Sequence, residues 1–207
     1  MGRRDRKEKA RGFLRSRDLD GIAVWAREEP QAGVSVVSLL YETDPLSYWR
    51  AVEGLGSIAG IFAVEDPGKV REILRRLIWS MNDESGGLVR RAPEAIGEIL
   101  VNVPALLSEF AGLLPSFFVE EPFERGSQWA VARLAGAEPG LFAARAPEVE
   151  PFLVDPDPYI RAHAGVTLAR SLGAEGEALA AKLLDDETAF EIYHIHGGEL
   201  VEVTVAQ

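Results

Sequence analysis

In residues 155–169, DPDPYIRAHAGVTLA, a proline-bearing turn leads through an arginine into a predicted helix of small residues. A similar order of turn, arginine and small-residue helix recurs at Arg50, Arg91, Arg125 and Arg161. These arginines stand 41, 34 and 36 residues apart. Such a period is typical of helical repeat proteins, in which each two-helix unit buries its apolar face by stacking on its neighbours. The sequence therefore predicts a row of helix pairs.

Apolar residues recur at helical spacing between the proline-bearing connections, where the missing N–H of proline is harmless in a first turn. This pattern predicts helices near 46–64, 70–79, 88–101, 103–118, 122–136, 141–153, 157–172 and 175–185. The end of the chain departs from it, since residues 188–195 and 199–205 alternate like β-strands. Gly197 and Gly198 between them suit a hairpin turn. We expect this hairpin to cap the last exposed apolar edge.

Asp44 and Asp155 each precede a repeat arginine by six residues across a turn, a spacing that resembles the HEAT repeat. Residues 155–169 look like the phycobilisome-lyase type of HEAT-like repeat. The resemblance implies an all-α, HEAT-like solenoid (an ARM-type superhelix) of four to five helix pairs over residues 18–187. It also implies a ladder of turn aspartates and helix arginines between neighbouring repeats, here Asp44, Arg50, Arg91, Arg125, Asp155 and Arg161.

A narrower likeness lies in WSMNDESGG, residues 79–87, followed by APEAIGEI, residues 92–99. These segments are similar to an uncharacterised family of small bacterial HEAT-repeat proteins. That family often has Ile-Gly-Trp where this chain has Leu88-Val89-Arg90, a departure that weakens the transfer of an aromatic ligand contact. This likeness names no activity.

The charge of the chain is unevenly distributed. The net charge is −11 and the isoelectric point is near 4.8, which argues against a general nucleic-acid role because phosphate binding needs a basic face. Residues 1–17 nevertheless carry a net charge of +6, against −17 for the remainder. We interpret this segment as a solvated basic N-terminal tail, with a docking arm for an acidic partner or a membrane surface as the alternative. Residues 18–187 would then form the repeat domain, and 188–207 the hairpin cap.

Neither export nor membrane insertion is expected. The chain has no cysteine, which fits a reducing compartment, and its basic start is not followed by an apolar signal segment. The most membrane-like stretch, Val101 to Val119, is interrupted by Asn102, Pro104, Glu109 and Pro115 and is better read as a buried helix. A cytoplasmic location without a membrane span is the expectation.

The loop Asn82–Gly87 interrupts the repeats. Its oxygen-bearing side chains either cap the next helix, meet a hard cation such as calcium without the spacing of an EF-hand, or with Glu94 contact a partner or ligand. The arginine-bearing helices are expected to line the concave face, with Trp49, Glu53 and His163 among their groove residues. Glu94 and Glu98 lie four apart, which suits either paired-carboxylate chemistry or a solvated stripe. Trp49 and Trp129 are either binding anchors or core. The candidate partner- or ligand-binding residues are Trp79, Asn82, Asp83, Glu84, Ser85, Glu94, Glu98, Trp129 and Arg133.

Motifs of catalysis and cofactor binding are missing. No Gly-x-Ser-x-Gly elbow occurs, and Gly54-Leu-Gly56 lies within a predicted helix rather than after a strand. His194 and His196 share one side of a predicted strand, a spacing that metals use, but ordinary hairpin histidines are the preferred interpretation. We therefore predict no catalytic residue, no resident metal and no cofactor.

Two functions from different classes remain. The first is a non-enzymatic scaffold or adaptor that grips a protein partner on the concave face of the solenoid. The lyase-type likeness implies the alternative, a chaperone or lyase that holds a tetrapyrrole-like cofactor in the groove, with Trp129, Arg133 and Glu94 near it. A shallow acidic groove would favour the scaffold, whereas a wide apolar groove with arginines facing propionates would favour the cofactor.

Overall fold

The computed structural model describes residues 1–82 and 87–207. The described chain is mostly α-helical and ends in a small antiparallel sheet, which confirms the all-α class with a C-terminal hairpin. The α-helices are α1 Arg3–Arg15, α2 Leu19–Glu28, α3 Ala32–Val37, α4 Pro45–Glu65, α5 Pro67–Met81, α6 Ala92–Asn102, α7 Leu107–Phe110, α8 Glu124–Ala137, α9 Ala146–Val149, α10 Pro158–Leu172 and α11 Ala174–Ala180. The strands are β1 Ala189–His194 and β2 Glu199–Thr204.

Aspartate–proline pairs start three of the helices, as the sequence predicts. Asp44, Asp66 and Asp157 precede α4, α5 and α10, and each is followed by proline at the first helical position. Their carboxylates accept hydrogen bonds from main-chain N–H groups of the first turn at 2.8, 3.1 and 2.9 Å. The cap satisfies a donor that the helix itself leaves free, and proline lacks the N–H that would otherwise be unpaired.

Five helices form a row in which each packs on the next, in the order α2, α4, α6, α8 and α10. Small residues allow the closest approaches within the row. A Cβ atom added to Gly97 in α6 would lie 2.8 Å from the Cβ atom of Ala130 in α8. Buried apolar residues from α1 to the hairpin belong to one core, so the chain buries its helices against one another continuously.

Two stretches predicted as single helices are broken. Residues 103–118 form the 3-10 segments Pro104–Leu106 and Ala111–Phe117 around α7, and residues 141–153 form Ala143–Arg145 and Glu150–Val154 around α9. Each stretch has a proline in its interior, Pro115 and Pro151, which cannot donate the hydrogen bond that a continuous α-helix requires.

The basic N-terminal segment is not a tail, which corrects the first domain boundary. Residues 3–15 form α1, whose Ala10 and Leu14 are buried in the common core. Lys7 and Arg11 on the same helix form ion pairs with Glu42 at 2.9 and 2.7 Å. The segment is ordered because Ala10 and Leu14, four residues apart on one face of α1, pack in the core, while Lys7 and Arg11 pair with Glu42.

The C-terminal hairpin pairs Ala189 with Thr204 at one end and His194 with Glu199 at the other, close to the predicted strands. Gly198 in the turn has φ +71°, a value that favours glycine. The hairpin contacts more of the molecule than the last apolar edge that it was expected to cap, however. It packs on α10 but also reaches α4, and its turn contacts Arg17 near the start of the chain. The hairpin thus crosses the helical row instead of covering its last edge alone.

Within the part of the chain that the structure describes, no single helix combines the length and apolarity of a membrane span. Among the described residues, one bent pair, Ala92–Asn102 and Pro104–Phe117, passes that test jointly, with an angle of 116° between its halves.

Candidate functional site

The starts of four neighbouring helices in the row meet at one cleft of about 350 Å³. Each of α4, α6, α8 and α10 contributes a side chain from its first four residues or from the residue just before them. The hairpin supplies the opposite wall. The lining residues are Tyr48, Trp49, Arg91, Arg125 and Tyr159 from the helices, and Phe190, Glu191 and Leu200 from the hairpin.

Two arginine–tyrosine stacks dominate this cleft. The guanidinium carbon of Arg91 lies 4.1 Å from the ring centroid of Tyr48, and that of Arg125 lies 4.4 Å from the ring centroid of Tyr159. Both distances are typical of cation–π contacts, which hold a planar guanidinium flat on an aromatic face. Each stack joins neighbouring helices of the row.

Each of these arginines has one carboxylate partner. Nη1 of Arg91 donates to Oε1 of Glu94 at 3.0 Å, and Nε of Arg125 lies 3.1 Å from Oδ2 of Asp157. Glu94 is only 1% exposed, and burial raises its pKa while Arg91 acts in the opposite direction. Oε2 of Glu94 has no hydrogen-bond partner among the described residues and lies against Gly126, where a Cβ atom would approach it to 2.3 Å.

Glu98 is buried beside a different cation. It is 6% exposed, and it accepts hydrogen bonds of 3.0 Å from both Arg133 and Asn102. Burial raises its pKa, against the effect of Arg133. Glu94 and Glu98 therefore do not form the solvated stripe that one reading of their spacing predicts. Each has its own arginine partner, Arg91 three residues before Glu94 and Arg133 in α8 for Glu98, so the two do not form a shared-proton pair.

A third buried carboxylate, Glu53 in α4, fastens the hairpin. Arg17 donates to its two oxygens at 2.7 and 3.1 Å, and the hydroxyl of Tyr193 in β1 donates at 2.6 Å. Burial, with Glu53 as a further cause, raises the pKa of Tyr193, so the phenol stays protonated and remains a donor. The N-terminal segment, α4 and the hairpin thus meet at one charged group.

Tryptophan side chains form the floor beneath the hairpin. The ring of Tyr193 stacks on Trp49 with centroids 5.3 Å apart and planes 4° apart, and Trp129 lies 4.8 Å from Trp49. Trp49 and Trp129 are 4% and 6% exposed, so both belong to the core. Arg17 donates to the main-chain carbonyl oxygens of Ile195 and His196 at the hairpin turn.

The aspartate–arginine ladder of the HEAT resemblance is present only in altered form. Among the described residues, Asp44 and Asp155 accept main-chain N–H groups of their own turns and form no side-chain ion pair with Arg50 or Arg161. Arg161 instead donates to the main-chain oxygen of Asp155 at 2.7 Å. The carboxylates are used in local turns, so the arginines find other acceptors. Of the six ladder residues, Arg125 does pair between helices, with the carboxylate that caps α10.

Arg161 also pairs with the carboxylate of Asp186 at 2.7 Å, whereas Arg50 uses main-chain acceptors. Its Nη1 donates to the carbonyl oxygen of Arg15 at 2.7 Å, and its Nη2 lies 3.4 Å from the carbonyl oxygen of Gly198. It therefore links the end of α1 to the hairpin turn.

The loop predicted as a functional interruption is described only at its edges. Trp79 is 71% exposed, and the side chain of Asn82 donates to the main-chain oxygen of Ile78 at 3.0 Å. Asp83, Glu84 and Ser85, with Gly86, lie outside the described residues. The proposed role of this loop therefore stays a prediction.

The geometry gives no support for a metal site at His194 and His196. The rings of His194 and His196 are 6.2 Å apart, and in residues 1–82 and 87–207 no three potential metal ligands cluster. His163 stacks on Tyr159 with centroids 4.2 Å apart, and its Nδ1 lies 2.6 Å from the main-chain oxygen of Tyr159. Burial lowers the pKa of His163 to about 4, so its ring is neutral near pH 7.

Sequence reasoning missed the two cleft tyrosines, although a signal was present. Tyr48 and Tyr159 each stand two residues before a repeat arginine, so a Tyr-x-Arg pattern marks the start of both α4 and α10. Glu191 and Tyr193 were missed as well, because a hairpin side chain gives no hint of the distant helix that it meets.

Comparison of the chain with models of known protein families and with curated proteins gives no match.

Proposed function

We propose that the protein is a non-enzymatic scaffold or adaptor whose helical row is a HEAT-like solenoid and whose partner is another protein. The binding surface is the face crossed by the hairpin, where α4, α6, α8 and α10 begin. A cytoplasmic location, which suits a chain without cysteine, belongs to the same proposal.

One observation carries this proposal: the face already holds a polypeptide by its main chain. Arg17 donates to the carbonyl oxygens of Ile195 and His196, and Arg50 to that of Gly198. Main-chain carbonyls are common to all polypeptides, and arginine forks bind such acceptors with fixed geometry. An aromatic floor then supplies a site for one inserted side chain, here Tyr193.

The tetrapyrrole alternative receives less support. The side chains that would surround the ring are engaged with the protein itself: Trp129 packs on Trp49, Arg133 binds Glu98, and Arg91 binds Glu94. The cleft beside them, of about 350 Å³, is lined by Glu191 as well as by two arginines. A propionate-bearing macrocycle would require most of these contacts to break.

Site-specific photo-crosslinking in the native host tests the scaffold proposal. A benzophenone amino acid replaces Glu191, which is exposed at the rim of the cleft, and mass spectrometry identifies the adducts. We expect one partner protein to be crosslinked in a defined ratio. An excess of the same scaffold protein without the benzophenone amino acid should suppress that crosslink.

The matched control carries the same amino acid at Arg75, an exposed position on α5 away from the cleft. Absence of an adduct at position 191, or the same set of adducts at both positions, would contradict the scaffold proposal. A visible absorbance band in the natively purified protein would support the cofactor alternative instead.

A further inference from the structure

We propose that the cleft between Arg91 and Arg125 is a binding site for an oxyanion, a carboxylate or a phosphate, attached to a small aromatic or apolar body. This inference does not rest on the scaffold proposal, because a small molecule and the end of a peptide can carry the same group. It assigns a ligand chemistry to a cleft whose walls come from four helices and the hairpin.

Both arginines keep donors for such a group. A guanidinium has five N–H donors, whereas Arg91 uses Nη1 toward Glu94 and Arg125 directs Nε toward Asp157. Among the described residues, neither side chain makes a hydrogen bond or ion pair with any other acceptor. Their side chains are 34% and 50% exposed, so the remaining donors are accessible from the cleft. Carboxylates and phosphates match the planar fork of these donors.

The tyrosines fix where those donors point. Because the guanidinium of Arg91 lies over the ring of Tyr48 and that of Arg125 over the ring of Tyr159, each loses little freedom when a ligand binds. Both stacks line the same cleft, so an anionic group bound there lies near two guanidinium groups.

The N-termini of two helices add an electrostatic potential that favours an anion. Arg91 directly precedes α6, which has 11 residues, and Arg125 is the second residue of α8, which has 14. The cleft therefore faces the positive ends of these helix dipoles. This contribution reinforces the arginines and would not by itself define a site.

The walls and the volume suit a small body beside the charged group. Phe190 and Leu200 are half-buried on the hairpin side, and the volume of about 350 Å³ falls within the usual range for small-ligand clefts. A flat aromatic or compact apolar body would lie against these side chains while its charged end meets the arginines.

Negative groups in and beside the cleft limit the affinity for an anion and supply a test. Glu94 and Asp157 are each engaged by one arginine, whereas Glu191 lines the cleft with no ion pair within 4.0 Å among the described residues. Glu191 is thus a tethered carboxylate that repels a second anion. Its replacement by glutamine is expected to tighten binding by about threefold to tenfold, because a like charge at close range is removed.

The test uses the whole protein with three probes: benzoate, phenyl phosphate and the neutral analogue benzyl alcohol. Binding is followed by isothermal titration calorimetry and by the shifts of the arginine Nε–Hε signals in NMR. We expect saturable binding of at least one anion, little binding of benzyl alcohol, and shifts concentrated at Arg91 and Arg125. The anion that binds more tightly identifies the preferred group.

Arg125→Gln is the diagnostic variant, because its side chain is half exposed and the change does not uncover a buried charge. It should weaken anion binding at least tenfold, whereas the control Arg75→Gln on α5 should leave it unchanged. Arg91→Gln is avoided, since it would leave the buried Glu94 without its cation. Glu191→Gln provides an independent variant with the opposite expected direction.

Three results would overturn the assignment. They are the failure of both anions to bind the wild-type protein and Glu191→Gln, equal binding of benzyl alcohol, and undiminished anion binding by Arg125→Gln.

Discussion

Tyr193 in β1 donates a 2.6 Å hydrogen bond to Glu53 in α4, across 140 residues of chain. Because Glu53 is 4% exposed, its carboxylate depends on protein donors, and Arg17 supplies the others. The hairpin is therefore fastened by a buried charge as well as by ring stacking on Trp49.

Tyr193→Phe should lower the free energy of unfolding by about 1 to 3 kcal/mol, because a buried carboxylate loses a donor while the ring remains. The measurement is urea denaturation at neutral pH. Tyr41→Phe is the matched control, since its hydroxyl donates to the main-chain oxygen of Gly87 at an exposed position. That control should change stability by less than about 0.5 kcal/mol. Equal effects of the two changes would contradict the role assigned to Glu53.

Arg133→Met should destabilise the protein by about 3 kcal/mol, because Glu98 is left buried without its cation. Adding Glu98→Gln should restore part of the loss, since the uncompensated charge is removed. A double-mutant cycle measured by thermal unfolding gives the coupling between the two residues. For comparison, Arg76→Met at the exposed pair with Glu72 should cost less than about 1 kcal/mol. Additive effects at Arg133 and Glu98 would refute the coupling.

Gly97→Ala should destabilise the protein by about 1 to 3 kcal/mol, although alanine is the better helix former. The new Cβ atom would lie 2.8 and 2.9 Å from the Cβ and Cα atoms of Ala130, so α6 and α8 would have to separate.

Gly136→Ala in α8 is the control, because a Cβ atom there meets nothing within 4 Å. It should be neutral or stabilising by up to about 1 kcal/mol. Calorimetric unfolding of both variants distinguishes the two positions, and a stabilised Gly97→Ala would show that the helices are packed less closely than described.

Stability should fall as the pH is lowered from about 6.5 to 4 because of His163. Burial lowers its folded pKa from 6.5 to about 4, so in this window the unfolded state binds the additional proton. The stability that the neutral His163 ring contributes is complete above about pH 6.5 and is lost as the pH falls toward 4. We expect a loss of about 1 to 2 kcal/mol, less than the full shift implies, because the side chain is partly exposed.

His163→Gln isolates this contribution. Glu94 and Glu98 have raised pKa values and therefore stabilise the protein as the pH falls, but they are present in both proteins. The difference in unfolding free energy between wild type and variant should narrow between pH 6.5 and 4. A difference independent of pH would rule out the titration of His163 as its cause.

Local chemistry explains which parts of the fold were predictable. Asp44-Pro45 and Asp157-Pro158 combine a capping carboxylate with a residue suited to a first turn, so α4 and α10 could be placed closely from the sequence. The hairpin was equally readable from its alternation and its glycine turn. These signals act over a few residues.

The site was less predictable because its contacts join distant segments. The charge pattern of residues 1–17 suggested a tail, yet Arg17 has its acceptors on α4 and on the hairpin turn. Glu94 and Glu98 were correctly assigned to one helix, but their burial depends on α8, which begins 26 residues after Glu98. Periodicity places a residue on a face, whereas the identity of what covers that face is a property of the whole chain.

The distance along the chain between Glu53 and Tyr193 has a consequence for synthesis. At typical translation rates the intervening 140 residues take roughly 7 to 28 seconds to be made. During that interval the nascent helices have Trp49 and the Glu53 carboxylate without the hairpin that will cover them. On the ribosome the face around Trp49 and Glu53 is therefore open first, and the hairpin that covers it is translated later.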